Sequence, residues 1–554
     1  NTERNGREPG ISNGTEAGTL MLQDIETSSA GSAVSEPTPL GDLLLFAAST
    51  DANGAELWVS DGTADGTDIL VDIEPGEYSS GPTQLTRFNG AVFFQAYDGV
   101  NGAELWRTDG TPGGTVLVKD INPGAPPSGP RTFQESGGAL FFVADIDSEG
   151  AELWKTDGTE AGTQLVKDIR SGPDNSGLGN LTDVNGTLFF KAYTDAAGME
   201  LWASDGTQAG TRLVRDINES GSSEPRELVA VGDTLFFSAQ EPVNGRELWK
   251  SDGTEFGTRL VAGIGPGAQG ADYREMTAFD GKLFFVTDDG INGAELWTSD
   301  GSSLGTQIFL NLAAGAFPSD PQDLTVVGDR LYFTADDGYT GRELYVTDGT
   351  PGGTSMVVDF APGADSLQLF ELAVVDGRIH FVADTDAYGR ELWRLDGILD
   401  SPELVMDLVP GPAGSSPQDI TDVNGRLFLV ASLPHFGEEL LTQDVTPPEV
   451  VSILPDTNYT RAPEVSFTVT FSEAVVGVDT ADFVVRTGAK ELMDVAIVSV
   501  TGEDATYTVT IDTGTGDGTI FVDLIDDDSI SDWMFNVLGG EGAGNGDLDR
   551  KSTR

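Results

Sequence analysis

The tripeptide Glu-Leu-Trp recurs along the chain with its Glu at positions 56, 104, 152, 200, 247, 295 and 391. Glu343-Leu344-Tyr345 and Glu439-Leu440-Leu441 are weaker copies, and Glu8 stands in phase ahead of them. Successive anchors are 48 residues apart, with one interval of 47. A period held that closely over most of a chain restricts it to a repeat architecture, in which each unit needs its neighbours to bury its apolar face.

One period, from Leu181 to Ile217, separates into the apolar pieces Leu181–Val184, Leu188–Tyr193, Met199–Ala203 and Leu213–Ile217. Asn185-Gly186 joins the first two, a turn whose central residues favour positive φ. Asp205-Gly206-Thr207 and Gly210-Thr211 join the last two. No piece sustains a helical period. Glycine, 71 of 554 residues, exceeds the usual ~7% and supplies the turns. Four short strands per unit predict an all-β fold, a multi-bladed β-propeller of about nine four-stranded blades over residues 1–443. The last copy offers Asp419–Val423, Leu427–Ala431 and Glu439–Leu441 but no fourth strand, and Thr19–Ile25 reads as the missing one. An N-terminal strand closing the last blade would hide a sheet edge; an open, curved array is the alternative.

Thr446-Pro447-Pro448 ends the periodicity. Residues 444–548, with alternating pieces Val465–Phe471 and Tyr507–Ile511 and further strands at Val495–Val500 and Ile520–Leu524, are expected to form an immunoglobulin-like β-sandwich. Residues 549–554 are expected to be a flexible tail.

The run GAELWRTDGTPGGTVLVKDINPG, Gly102 to Gly124, resembles the ELWxxDGT repeat of large bacterial surface and secreted proteins, and the resemblance covers roughly residues 6–443. It implies a propeller-like region in an extracellular protein. Phe467–Val475 and Asp512–Thr519 resemble bacterial Ig-like modules, which are commonly strung in tandem in adhesins.

Asp and Glu outnumber Lys and Arg by 91 to 30, a formal net charge of −61. That balance argues against nucleic acid and anionic membranes, both of which need basic residues to meet phosphates. No apolar run is long enough to insert in a membrane as a helix. Without cysteine there is no disulfide or thiolate site, and two histidines, His380 and His435, make a Ser/His/Asp triad a poor reading. The chain begins at Asn1 without a Met, so any signal peptide is expected to have been removed or to lie outside this sequence.

Each repeated Trp reads as packing between blades. The motif Glu reads as a buried carboxylate bonded to N–H groups of a neighbouring turn, with cation binding as the other possibility. The Asp of Asp-Gly-Thr reads as the cap of its own turn. Calcium is the one cofactor suggested. Asp145, Asp147 and Glu149 alternate ahead of Gly150 as hard oxygen ligands would. Partial copies occur at Asp384 and Asp386 and at Asp51 and Asn53, with another cluster at Asp526, Asp528 and Asp532. The competing reading is a solvated acidic hairpin tip.

These features lead to the expectation of a non-enzymatic structural or adhesive protein of the bacterial cell surface. It would associate with itself, as a homo-oligomer, fibre or surface layer, or with other surface proteins or glycans. A lectin-like propeller using Tyr78, Tyr97, Tyr193, Tyr273, Tyr339 and Tyr388 is the alternative. A propeller glycosidase or lyase is least favoured, because the departures from the repeat form no acid, base and nucleophile set.

Overall fold

The computed structural model describes Gly10, Ile11, Ile25 and most of residues 32–538. Outside the description lie residues 359–367, 396–401, 434–436, 444–447, 458–461, 489–492, 526–529 and 533–537, some shorter stretches, and the remainder of both ends. The tail at 549–554 is therefore outside it, as is His435.

Two compact units emerge, one made chiefly of Met21–Asn424 and Phe428–Leu441, the other chiefly of Thr442–Arg554. The first is a β-propeller. Its first sheet is the meander Ser35–Leu40, Leu43–Thr50, Gly54–Ser60 and Asp68–Val71. Sheets of the same order begin at Thr83–Phe88, Arg131–Ser136, Gly179–Val184, Arg226–Val231, Arg274–Phe279, Gln322–Val327 and Gln368–Val375. A ninth is built from Gln418–Val423, Arg426–Leu433 and Gly437–Gln443, with Gly10–Ile11 as its outermost strand. The innermost strands touch in sequence, and that of the first sheet also meets that of the ninth, which closes the ring. The N-terminal strand found there is Gly10–Ile11, whereas Thr19–Ile25, the segment expected to close the blade, lies outside the described residues except for Ile25. Apolar content pointed to the later segment, but edge pairing uses backbone groups.

Alternation along each strand gives every sheet two apolar faces, and the cores lie between sheets. Phe141, Leu153 and Val166 of the third sheet pack against Leu188, Phe190 and Trp202 of the fourth. Six of the motif tryptophans are buried at these seams, Trp106 is half-buried, and the buried Tyr345 takes the place in the seventh sheet. Removing an indole from water is worth roughly 5 kcal/mol before ordering costs. In three seams a cation from the preceding sheet lies over the ring: Lys119 on Trp154, Lys167 on Trp202 and Arg215 on Trp249. The same cations donate to carbonyls of Thr163, Thr211 and Thr258 in the next sheet, at 2.7, 2.6 and 2.7 Å.

The motif Glu fastens the linker between sheets. The fully buried Glu104 accepts from Ile121 N–H and Ser128 N–H at 2.8 Å and from Ser128 Oγ at 2.6 Å. In the fifth sheet Ala271 stands in the serine's place, and the Tyr273 hydroxyl donates to Glu247 instead at 2.9 Å. Burial pushes these carboxyls up against their hydrogen bonds, to about 7 for Glu104 and Glu152. The motif Asp accepts from its own turn, as in Asp109 Oδ1 with Thr111 N–H at 3.0 Å and Thr111 Oγ1 at 2.6 Å. A Cβ on Gly114 would lie 2.0 Å from Asp109 Oδ1, which explains the obligatory glycine before the final Thr.

The second unit contains the four-stranded sheet Val450–Pro455, Glu464–Phe471, Thr506–Asp512, Ala496–Glu503, and two short ladders. Phe467, Val469, Val509, Ile511, Val522 and Leu524 share its core.

Candidate functional site

A symmetric ring has no unique place until something breaks the repeat, and here the break lies on the innermost strands. Seven of these strands carry a bulge after their first residue, and that of the eighth sheet has its bulge between Leu369 and Glu371. The second residue adopts a left-handed φ although it is never glycine: Glu36, Gln84, Thr132, Asn180, Glu227, Glu275, Asp323 and Asp419 lie between 52° and 61°. Such backbone costs on the order of 1 kcal/mol per residue and persists only where the surroundings fix it. What fixes it is visible across the seam. Glu36 accepts from Leu85 N–H at 3.3 Å, Gln84 from Thr132 N–H at 3.0 Å, and Glu275 from Leu324 N–H at 3.2 Å. Glu371 fills the same place in the eighth sheet and accepts from Ile420 N–H at 2.7 Å.

The column is split. Sheets two to four carry the neutral Gln84, Thr132 and Asn180. Sheets five to nine and the first carry carboxylates at Glu227, Glu275, Asp323, Glu371, Asp419 and Glu36. Burial, then the charge of Glu275, raises the pKa of Glu227 and of Asp323, and burial with the charge of Asp419 raises that of Glu371. Like charges thus face one another along this arc. Around the adjoining first positions lies a group of cations, Arg131, Lys191, Arg226 and Arg274. Arg131 pairs with Asp145 at 2.7 Å, while Arg274 and Arg342 converge on Asp320.

Inner strands begin opposite the last residues of the second strands, so this ring sits at the end of the disc that carries the hairpin loops between second and third strands. Those loops vary along the ring as well. In sheets five to eight their tips present Val243, Ile291, Tyr339 and Tyr388, with exposures of 72, 73, 79 and 38%. Sheet two has an isolated apolar tip, Val100 at 70%, while the tips of sheets three and four carry Ser148 and Ala196.

The proposed calcium ligands fall elsewhere in this geometry. Asp145 is engaged by Arg131, and Asp147 accepts from Asn122 Nδ2 at 3.4 Å. Asp147, Asp384, Asp386 and Asp51 are exposed, Glu149 and Asn53 half-exposed. Asn53 N–H bonds to Thr50 Oγ1 in its own turn. Asp526 and Asp528 lie outside the described residues, and Asp532 sits in the short strand Ser531–Asp532. Among the described residues, no three acidic or histidine side chains converge as a metal site. Of the tyrosines, Tyr78, Tyr97, Tyr339 and Tyr388 are exposed, but Tyr273 is buried and Tyr193 lies under Arg170 at 5.0 Å. The inner column was missed because attention went to what recurs; aligning the copies and asking which position varies by charge would have found it.

No known protein family matches the sequence, and no curated protein does. Among solved structures the chain is similar to puromycin hydrolase, at 14% identity and a TM-score of 0.33 over 63% of this chain and 58% of that one. It is similar to a prolyl endopeptidase at 13% and 0.37, over 71% and 54%. It also matches the propeller domain of the Trilobed protease from Pyrococcus furiosus, at 11% and 0.33, over 74% and 95%. The chain spans little more than half the length of the first two proteins. These neighbours agree on the propeller fold. They also correct the expectation of a non-enzymatic structural or adhesive surface protein, and with it the lectin and glycosidase alternatives, since the proteins resembled are peptidases. The physical reason is that the repeat encodes packing between sheets, and packing says nothing of what a face binds. Likeness at this level shows fold alone and carries no peptidase activity to this chain.

Proposed function

We propose that the propeller is a polypeptide-recognition disc, whose loop-bearing end over sheets five to eight binds an extended basic segment of another protein that also carries large apolar side chains. The observation carrying this reading is the coincidence on one arc of two independent departures from the repeat. Carboxylates occupy the inner column of those sheets, and large exposed apolar residues occupy their tips. Lys or Arg side chains would meet Glu227, Glu275, Asp323 and Glu371, while apolar side chains would cover Val243, Ile291, Tyr339 and Tyr388. A chain of net charge −61 steers cations toward itself from any direction, so steering alone gives no specificity; the apolar tips supply it.

The test is fluorescence anisotropy with a labelled peptide of alternating Lys and Leu or Trp, and its Lys→Glu counterpart. The basic peptide should bind and weaken with salt. The triple change Glu227→Gln, Glu275→Gln, Asp323→Asn should weaken it by roughly tenfold or more, about 1.4 kcal/mol, as should Ile291→Ser with Tyr339→Ser. Neutralising Glu135, Glu160 and Asp174 on the opposite arc is the control. Equal losses in both triples would reduce the interaction to general charge attraction and end the proposal.

A further inference from the structure

Lys191 breaks a column of its own. The residue of the second strand paired with the first residue of the inner strand is Ala47, Gln95, Val143, Ser238, Val286 or Thr334 in other sheets. In the fourth sheet it is Lys191, opposite Gly179. A Cβ at Gly179 would lie 3.2 Å from Lys191 Cε, so the missing side chain opens the space the lysine uses. Across the seam stands Arg226, and the two line one cavity of about 420 Å³ with Asn180, Thr182, Glu227 and Leu228.

Neither cation makes an ion pair or hydrogen bond with the described residues, in a chain where acids outnumber bases by 91 to 30. Their neighbours in the ring are satisfied: Arg131 by Asp145, Arg274 by Asp320. Behind Arg226 a third cation, Arg246, is held by the carbonyls of Glu224 at 2.9 Å and Ser238 at 3.2 Å. Burial, then the charge of Arg226, lowers its pKa from the ordinary value, a sign that positive charge is crowded here. The donors in this wall greatly outnumber its acceptors. Glu227 is its one carboxylate, and it would repel a second negative group.

We propose that Lys191 and Arg226 form a binding site for a single compact oxyanion, the carboxylate or phosphate of a small ligand, at the seam of the fourth and fifth sheets. Lys191 supplies a point charge and Arg226 a planar fork suited to two oxygens. The long-range repulsion of the acidic chain is screened beyond about 8 Å at physiological salt, so the local cations decide the affinity.

Titration calorimetry on the full chain, with butyrate and inorganic phosphate as separate probes, tests this. Saturable binding of at least one is expected. Lys191→Met or Arg226→Gln should weaken it by roughly tenfold, Lys191→Arg should retain it within about threefold, and Arg131→Gln should leave it unchanged. The stronger probe identifies the oxyanion. Absence of binding for both probes at about 20 mM, weaker than any Kd of use, overturns the proposal, as does binding that Lys191→Met and Arg226→Gln leave intact. Because the site lies outside the apolar tips and uses other probes, its failure and that of the peptide reading are separately visible.

Discussion

Sheets two to four and sheets five to eight share one fold and one set of internal bonds, yet they differ in three places. The former hold neutral inner residues, and Lys119, Lys167 and Arg215 clasp the next sheet. The latter hold carboxylates inside, an apolar tip on every sheet where sheets two to four have only Val100, and Ala262, Leu310, Val358 and Met406 where the clasping cations would be. What both halves keep is what a sheet needs from its neighbour. What they do not share has no role in packing that the other half could not fill, so it is where a ligand would be read.

The comparison can be broken most severely at the element both halves share. Replacing a motif Glu by Leu leaves buried N–H and hydroxyl donors without an acceptor, each costing about 1–3 kcal/mol. Glu104→Leu in the second sheet and Glu295→Leu in the sixth should therefore each lose about 3 kcal/mol or more, by denaturant titration of the propeller. A large difference between them would mean that the two arcs are not held alike. Next in size is the clasp. Lys167→Met, which removes a charge-assisted hydrogen bond and a cation–π contact, should cost about 1–2 kcal/mol. Leu310→Lys in the sixth sheet should gain much less, because its partner carbonyl was never selected for it.

Acidity separates stability from recognition. Glu104 and Glu152, raised to about 7 by burial, bind protons more readily folded than unfolded. Their contribution is full below about 4.5 and is lost as pH rises through 7. The motif aspartates, lowered chiefly by their own threonine hydroxyls, act oppositely and lose stability only below about 4. Melting temperature should thus rise by a few degrees between pH 8 and about 5.5 and fall again below 4. Affinity for the basic peptide should drop as pH falls, because burial raises the pKa of Glu227, Asp323 and Glu371 and they protonate ahead of ordinary carboxylates. Smallest is Asp145→Asn, which unpairs the half-exposed Arg131 and should cost under about 1 kcal/mol.

Much of the propeller was legible in the primary structure. The four pieces read from Leu181 to Ile217 became Gly179–Val184, Thr187–Thr194, Gly198–Ser204 and Arg212–Arg215. The last strand stops short because Ile217 N–H turns to Glu200 at 3.0 Å. The bulge at Asn180 could not be read, since a left-handed Asn or Glu leaves no compositional mark in a strand. Nor could the exchange of Ser for Tyr273, where a residue expected as an exposed sugar platform is an interior donor. Periodicity reports what is equivalent; a site in a ring depends on what is not.

The clasps have a consequence for a severed chain. Lys119 reaches from the second sheet to Thr163 and Trp154 of the third, and Lys167 and Arg215 continue the series. A protease cut at the exposed turn of Glu160 and Ala161 would divide the polypeptide but not these joints, which run around the circumference like the hoop of a barrel. The nicked disc should migrate as two pieces in detergent and as one body in native buffer.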